Sequence, residues 1–407
     1  MRGGDSTGLR AYNERLMIAA IRQADSPMSK ADIARTTGLS GQAATVIVNA
    51  LIDDGLLVEL DLVRGQVGKP STPIALNPKG SYSIGIKIGR RSLEAVLIDF
   101  CGEIVESRTH RYLAPLPAQT MAVAIDTAKA LSDSLSFKFQ KRIVGLGVAM
   151  PWDLHEWSDV LHMDSAELEG WCDIDVKRQI ENQVGLNVSL FNDATAACAA
   201  EMIAGDRIRK RSALYIFLGT FVGGGIVIDG RLYRGEQMNA AAIGSLPMGG
   251  ADADQRPQQL IHLASMIELE RSLSSAGHDA ADMYQFSPNE NAEGIFEDWM
   301  HRAVPALSQA IVSASSVIDI EEVVIDGLLC PKWRERIVDS VSRECSKYNH
   351  AGLSPFEVAV GSTGPAARVM GAALMPLIRR YSPDTDLLVK TGKTLHAPEI
   401  IPATYPQ

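Results

Sequence analysis

From position 83 the chain passes through strand-like and helix-like segments in a fixed order, and from position 213 a similar order begins again. Runs at 83–88, 93–99 and 103–111 read as three consecutive strands. A helix follows at 117–136, a buried apolar strand at 143–149, a helix near 174–183 and a strand at 187–191. The restart gives strands at 213–218, 225–229 and 231–234, then long helices and a strand at 323–326. A strand-rich α/β unit written twice predicts a duplicated α/β domain with a central cleft between its halves.

The first eighty residues follow a different rule. Leu16, Ile18, Ala19, Ala20 and Ile21 suit a short helix at 13–22, which Ser26-Pro27-Met28-Ser29 breaks. Ser29 is placed to cap a helix at 30–36, and Gly38 to close it. Ser40 is placed to cap a third helix, 41–54, with an apolar stripe of Ala44, Ile47, Val48 and Leu51 opposite Gln42, Thr45 and Asn49. Two helices joined by a tight glycine turn, the second opening with small polar residues, form a helix-turn-helix. Strands at 56–60 and 72–76 flank the loop Arg64-Gly65-Gln66-Val67-Gly68-Lys69-Pro70, a hairpin that reads as a cationic wing. A small helical protein-interaction domain would use the same three helices, and the third carries no Arg or Lys to read guanine. Residues 77–80 read as a linker.

The net charge of −10 at first argues against nucleic acid. It is unevenly spread, because residues 1–72 hold eight basic and eight acidic side chains and the whole deficit lies on 73–407. An acidic body leaves only the head able to approach phosphate, so charge permits DNA binding without requiring it. The five cysteines are scattered with no Cys-x-x-Cys pair, which suits reduced thiols and a cytoplasmic setting. The N-terminus has no apolar signal-peptide centre, and no apolar run of about 18 residues suggests a membrane span.

The order of motifs along the body resembles the ROK family of sugar kinases and sugar-responsive repressors, which have the actin/hexokinase-like (ribonuclease H-like) fold. The wing Gly68-Lys69-Pro70 resembles the Gly-Arg-Pro of the repressor branch. IGIKIGRRSLEAVLID at 84–99 resembles the family's first phosphate loop, and GLGVAMPWDL at 145–154 the strand and turn that touch the sugar. FNDATAACAAE at 191–201 resembles the segment with the catalytic aspartate, here Asp193. LGTFVGGGIVIDGRLYRG at 218–235 resembles the second phosphate loop, and GSTGPAARVMGAAL at 361–374 the start of the helix near the nucleotide.

The departures are as informative. Where the family has Asp-x-Gly-Gly-Thr, this chain has Lys87-Ile88-Gly89-Arg90-Arg91, without the carboxylate, one glycine and the threonine. Arg90 and Arg91 read as solvated side chains on a strand turn. Phe221 replaces the last residue of a Gly-Thr-Gly, and Asp326-Gly327 replaces a Gly-Gly pair. A base without a phosphate cradle or metal carboxylate does not transfer a phosphoryl group, so no enzyme activity and no catalytic residue are expected. The family's Glu-x-Gly-His is Ala242-Ile243-Gly244-Ser245 here, and 248–260 holds no cysteine, so no zinc and no other cofactor are expected. Trp152 replaces a glycine and either stacks on a ligand or fills the pocket. Asn192 and Asp193 suit either a polar ligand or a helix N-cap.

These readings divide the chain into a winged helix-turn-helix at 1–78 and ROK halves at 79–205 and 206–407. The expected function is a dimeric transcriptional repressor that binds a double-stranded operator. Ser40, Gln42, Thr45, Asn49 and wing Lys69 are the expected DNA contacts. Trp152, Asn192, Asp193 and Ser245 are the expected contacts to a small polar effector, possible ligands including a sugar derivative. The alternatives are a regulator controlled by a protein partner, with no effector, and a sugar kinase with a regulatory head.

Overall fold

The computed structural model describes residues 6–61, 72–152, 154–158, 164–205, 208, 211–251, 257–279, 283 and 290–383. They form two compact units, one of residues up to Ser81 with the described residues from Ile378 on, the other Tyr82–Leu377.

The first unit begins with helices α1 (Ser6–Gln23), α2 (Lys30–Thr37) and α3 (Gly41–Asp53), followed by strands β1 (Leu57–Glu59) and β2 (Ile74–Leu76). Helix α1 starts well before 13, because residues 6–12 form polar turns that an apolar stripe does not reveal. The caps follow the sequence. Ser29 Oγ accepts from Asp32 N, Gly38 ends α2 at φ +70°, and Ser40 Oγ accepts from Ala43 N. Met17, Ile18, Ile33, Ala44, Val48, Leu51, Leu57 and Ile74 are buried together as the core of this unit. β1 and β2 pair antiparallel, and Met28 bridges to Ile74, tying the α1–α2 turn to the sheet. The 77–80 segment is no loose linker. Asn77 accepts from Lys79 N, and its amide donates to the Gly55 carbonyl at 2.8 Å, fixing a 3-10 turn at Pro78–Gly80.

In the second unit β3 (Tyr82–Ile88), β4 (Ser92–Asp99) and β5 (Ile104–Arg111) lead to α4 (Pro117–Asp133), α5 (Phe137–Gln140) and β6 (Ile143–Met150). Then come α6 (Ser165–Glu169), α7 (Val176–Val184), β7 (Val188–Asn192) and α8 (Asp193–Ala204). The second half holds β8 (Ala213–Leu218), β9 (Val222–Ile228), β10 (Arg231–Tyr233), the small pair β11 (Pro247–Ala251) and β12 (Pro257–Gln259), α9 (Leu260–Ala264), α10 (Met266–Ser275) and α11 (Glu290–Ser315). It ends with β13 (Glu322–Gly327), α12 (Pro331–Cys345), β14 (Glu357–Val360) and α13 (Ala367–Tyr381).

The strand orders are β5-β4-β3-β6-β7 and β10-β9-β8-β13-β14. In both, a three-strand antiparallel meander continues into two strands parallel to its first. The same order twice is the duplication read from the sequence. The strand parallel to β3, β6, is almost continuously apolar, as a strand buried on both faces must be, and β13, parallel to β8, is buried throughout with an apolar centre at Val323–Ile325 between Glu322 and Asp326. Among the described residues no helix is long and apolar enough to cross a membrane.

Candidate functional site

Strand ends build the cleft. Gly89 and Arg90 follow β3, Pro151 and Trp152 follow β6, Asn192 and Asp193 span the β7–α8 junction, and Gly219, Thr220 and Phe221 follow β8. These residues line one cavity of about 240 Å³, together with Asn239, Ala242, Ser245, Phe217 and Arg368. In open α/β sheets ligands settle outside the carboxyl ends of the strands, where loops converge and backbone groups are left to bind. The structure therefore gathers Trp152, Asn192, Asp193 and Ser245 around a single space.

Their local roles differ. Asn192 caps α8, its Oδ1 accepting from Ala194 N at 3.0 Å and Thr195 N at 3.4 Å, so the cap and a place in the cleft coexist. Asp193 accepts from Arg368 Nη1 at 3.3 Å, and that guanidinium lies 5.0 Å from the centre of the Phe217 ring. Trp152 is half-buried, with its Nε1 buried and without an acceptor among the described residues. Arg368 was not singled out from the sequence. Its one signal is a lone cation in an otherwise apolar helical stretch at 367–374.

The positions that resemble the family's phosphate loops are filled from within. The ammonium of Lys87, almost fully buried, bonds to Glu94 Oε1 at 3.0 Å and Ser92 Oγ at 3.3 Å. Desolvation holds its pKa down to about 8, with the charge of Arg368 adding to the shift and Glu94 opposing it. The expectation that Arg90 and Arg91 are solvated is corrected for Arg90, which is buried and ion-paired to Glu270 of α10, itself buried. Arg91 reaches the same carboxylate at 2.5 Å while staying exposed. The attraction between the two charges offsets the desolvation cost of burying them, and the pair ties the β3 turn to the second half. Asp326 is also enclosed. It accepts from Arg334 at 2.5 Å, Gly364 N at 2.8 Å, Thr363 Oγ1 at 3.1 Å and Tyr215 OH at 3.3 Å. Glu201 beside it accepts from both the backbone and the hydroxyls of Ser362 and Thr363. The amides that open the last helix region are thus bonded to internal carboxylates.

In the first unit Ser40, Gln42, Thr45 and Asn49 are all exposed on or beside α3. Ser40 is occupied as the cap, and Thr45 Oγ1 donates back to the Gly41 carbonyl at 2.7 Å. Asn49 Oδ1 accepts from Lys30 Nζ at 2.8 Å, and Lys30 also pairs with Glu59 at 3.1 Å. Val46 shares this face at 63% exposure. Lys30 and Val46 were not anticipated. Lys30 meets Asn49 only through the fold, 19 positions away. Lys69 and the wing tip lie outside the described residues.

The ROK family model matches residues 83–377. An uncharacterised protein of Sinorhizobium fredii, y4fQ, is 27% identical over 91% of this chain and 92% of its own. The xylose repressor of Bacillus spizizenii is 26% identical over 57% of this chain, and the match spans 59% of the repressor's length. Among solved structures, a ROK family transcriptional regulator that is a homologue of the Escherichia coli Mlc protein aligns with TM-score 0.66 and 19% identity, over 92% of this chain and 99% of that one. A ROK hexokinase from Thermus thermophilus aligns with TM-score 0.53 and 22% identity, over 72% of this chain and 97% of that one. These structural likenesses establish the actin/hexokinase-like α/β fold of the body. With nearly all of the second unit inside the matched region, the chain belongs to the ROK family.

Proposed function

We propose that this chain is a DNA-binding transcriptional repressor. In this reading a winged helix-turn-helix at 1–78 reads duplex DNA in the cytoplasm. ROK halves at 79–205 and 206–407 sense a small polar ligand in their cleft without phosphorylating it. The observation that carries the proposal is the division of α3 into two faces. Ala44, Ile47, Val48 and Leu51 hold it to the core, while Gln42, Thr45, Val46 and Asn49 form an exposed face of the size that enters a major groove. Val46 supplies an apolar contact suited to a thymine methyl, and Lys30 supplies a cation beside Asn49. The names of the xylose repressor and the Mlc homologue support the same reading.

The sensing half rests on the cleft. Asn192, Asp193, Ser245 and Trp152 offer hydrogen bonds and an aromatic face in one cavity. The kinase reading is disfavoured by Lys87, whose ammonium stands where the family's first phosphate loop has a carboxylate, and by the internal bonding of Arg90 and Asp326. A two-fold dimer on a pseudo-palindromic operator completes the proposal.

The test is a change of Gln42→Ala with Asn49→Ala. Binding to DNA from upstream of the chain's own gene should fall to the level of unrelated DNA, while circular dichroism stays unchanged. Undiminished preference for the upstream DNA would remove α3 from the interface.

A further inference from the structure

We propose that the cleft takes an anionic sugar derivative, a carboxylate or phosphate on a polyhydroxylated ring, with Arg368 as its counter-ion. This rests on the sensing role proposed above and narrows it to a ligand class.

Charge is the first observation. Among the described residues around the cleft floor four cations, Lys87, Arg90, Arg91 and Arg368, share three carboxylates, Glu94, Asp193 and Glu270. The two guanidiniums of Arg90 and Arg91 divide one carboxylate between them. Of the described residues that line the cavity itself, Arg90 and Arg368 are cationic and Asp193 is the one acid. Four cations against three carboxylates leave one in excess, the exposed Arg91 beside the cleft, in a chain whose net charge is −10, so this place is less hostile to an anion than the chain as a whole.

Unmet hydrogen bonding is the second, and it is independent of charge. The Arg368 side chain is nine-tenths buried, and of its five N–H groups one bonds to a described residue, through the long contact to Asp193. Its Nε and the Trp152 Nε1 are both buried without an acceptor among the described residues. Each of these groups is a donor. A neutral sugar hydroxyl brings a donor with every acceptor, whereas a carboxylate or phosphate oxygen brings acceptors alone. A guanidinium also matches the two oxygens of such a group in a bidentate fork. The guanidinium carbon lies 5.0 Å from the centre of the Phe217 ring, a contact that limits the ordering needed when the anion arrives. Asp193, already neutralised by Arg368, remains able to accept from a ring hydroxyl, and Trp152 offers a face to the ring.

The experiment is calorimetric titration of the full-length protein with glucuronate, galacturonate and glucose 6-phosphate, with glucose and galactose as neutral parents, and with inorganic phosphate alone. At least one acidic sugar should bind about tenfold or more tighter than its neutral parent and than inorganic phosphate. Arg368→Met should erase that preference, and Arg368→Lys should keep part of it. Uronates and the sugar phosphate tell the two anion sources apart. The wild-type comparison and Arg368→Lys decide the matter even if Arg368→Met does not fold. Equal binding of acid and parent, equal binding of bare phosphate, or an intact preference in folded Arg368→Met would overturn the inference while leaving the sensing role standing. Binding of none of these sugars would overturn the sensing role and the inference with it.

Discussion

Lys87 occupies a position enclosed enough to lower its pKa from 10.5 to about 8, through desolvation first and the neighbouring Arg368 second. Between those two values the unfolded chain binds more protons than the folded one, so this group makes stability rise with pH across the window. Below about pH 8 the folded state carries the whole cost of the buried ammonium. The difference in unfolding free energy between wild type and Lys87→Met should therefore shift by up to about 3 kcal/mol from pH 8 to 10.5, in favour of wild type. Urea titrations at several pH values measure it, and a flat difference would contradict the enclosure. Residues of local meaning were legible in the sequence, as the caps Ser29 and Ser40 show. Lys30 and Arg368 were not, because their partners lie 19 and 175 positions away and only the fold joins them.

Elements meet where backbones come close. A Cβ built on Gly371 of α13 would fall 1.7 Å from the Ala196 carbonyl oxygen of α8, so the two helices touch through their backbones. One turn earlier on each helix stand Arg368 and Asp193, and the close crossing is what lets a guanidinium reach that carboxylate. Gly371→Ala should cost about 3 kcal/mol through overpacking, read as a lowered urea midpoint, with Arg368 displaced from Asp193. Wild-type stability in that variant would show that the crossing is looser than described. On β9, Gly225 would meet Cys198 of α8 at 2.3 Å if it carried a Cβ. The glycine run within the segment that resembles the second phosphate loop therefore packs strand against helix. Strands were legible because continuous apolar runs have few other uses. The short, half-exposed β14 gave no such signal, nor did the polar first turns of α1.

At the scale of the molecule, two sheets with one strand order and a separate three-helix unit were readable from the repeated pattern and the change of rule near residue 80. The filling of the cleft was not readable. A loop sequence shows that a carboxylate has become Lys87, but not that Glu94, Glu270 and Arg334 rise from other elements to bond the replaced positions. That internal bonding argues against phosphoryl transfer. Hexose-dependent ADP release should accordingly be no greater for wild type than for Asp193→Asn, and a clear excess would restore the kinase reading.

The central proposal, sequence-specific DNA reading by α3, is tested most directly by selection from a random duplex pool with the purified full-length chain. The account predicts enrichment of a pseudo-palindrome whose half-sites lie about one helical turn, or a multiple of it, apart. The enrichment should vanish for the Gln42→Ala, Asn49→Ala double variant. A pool that stays random with folded wild-type protein, or an identical motif from the double variant, would contradict it.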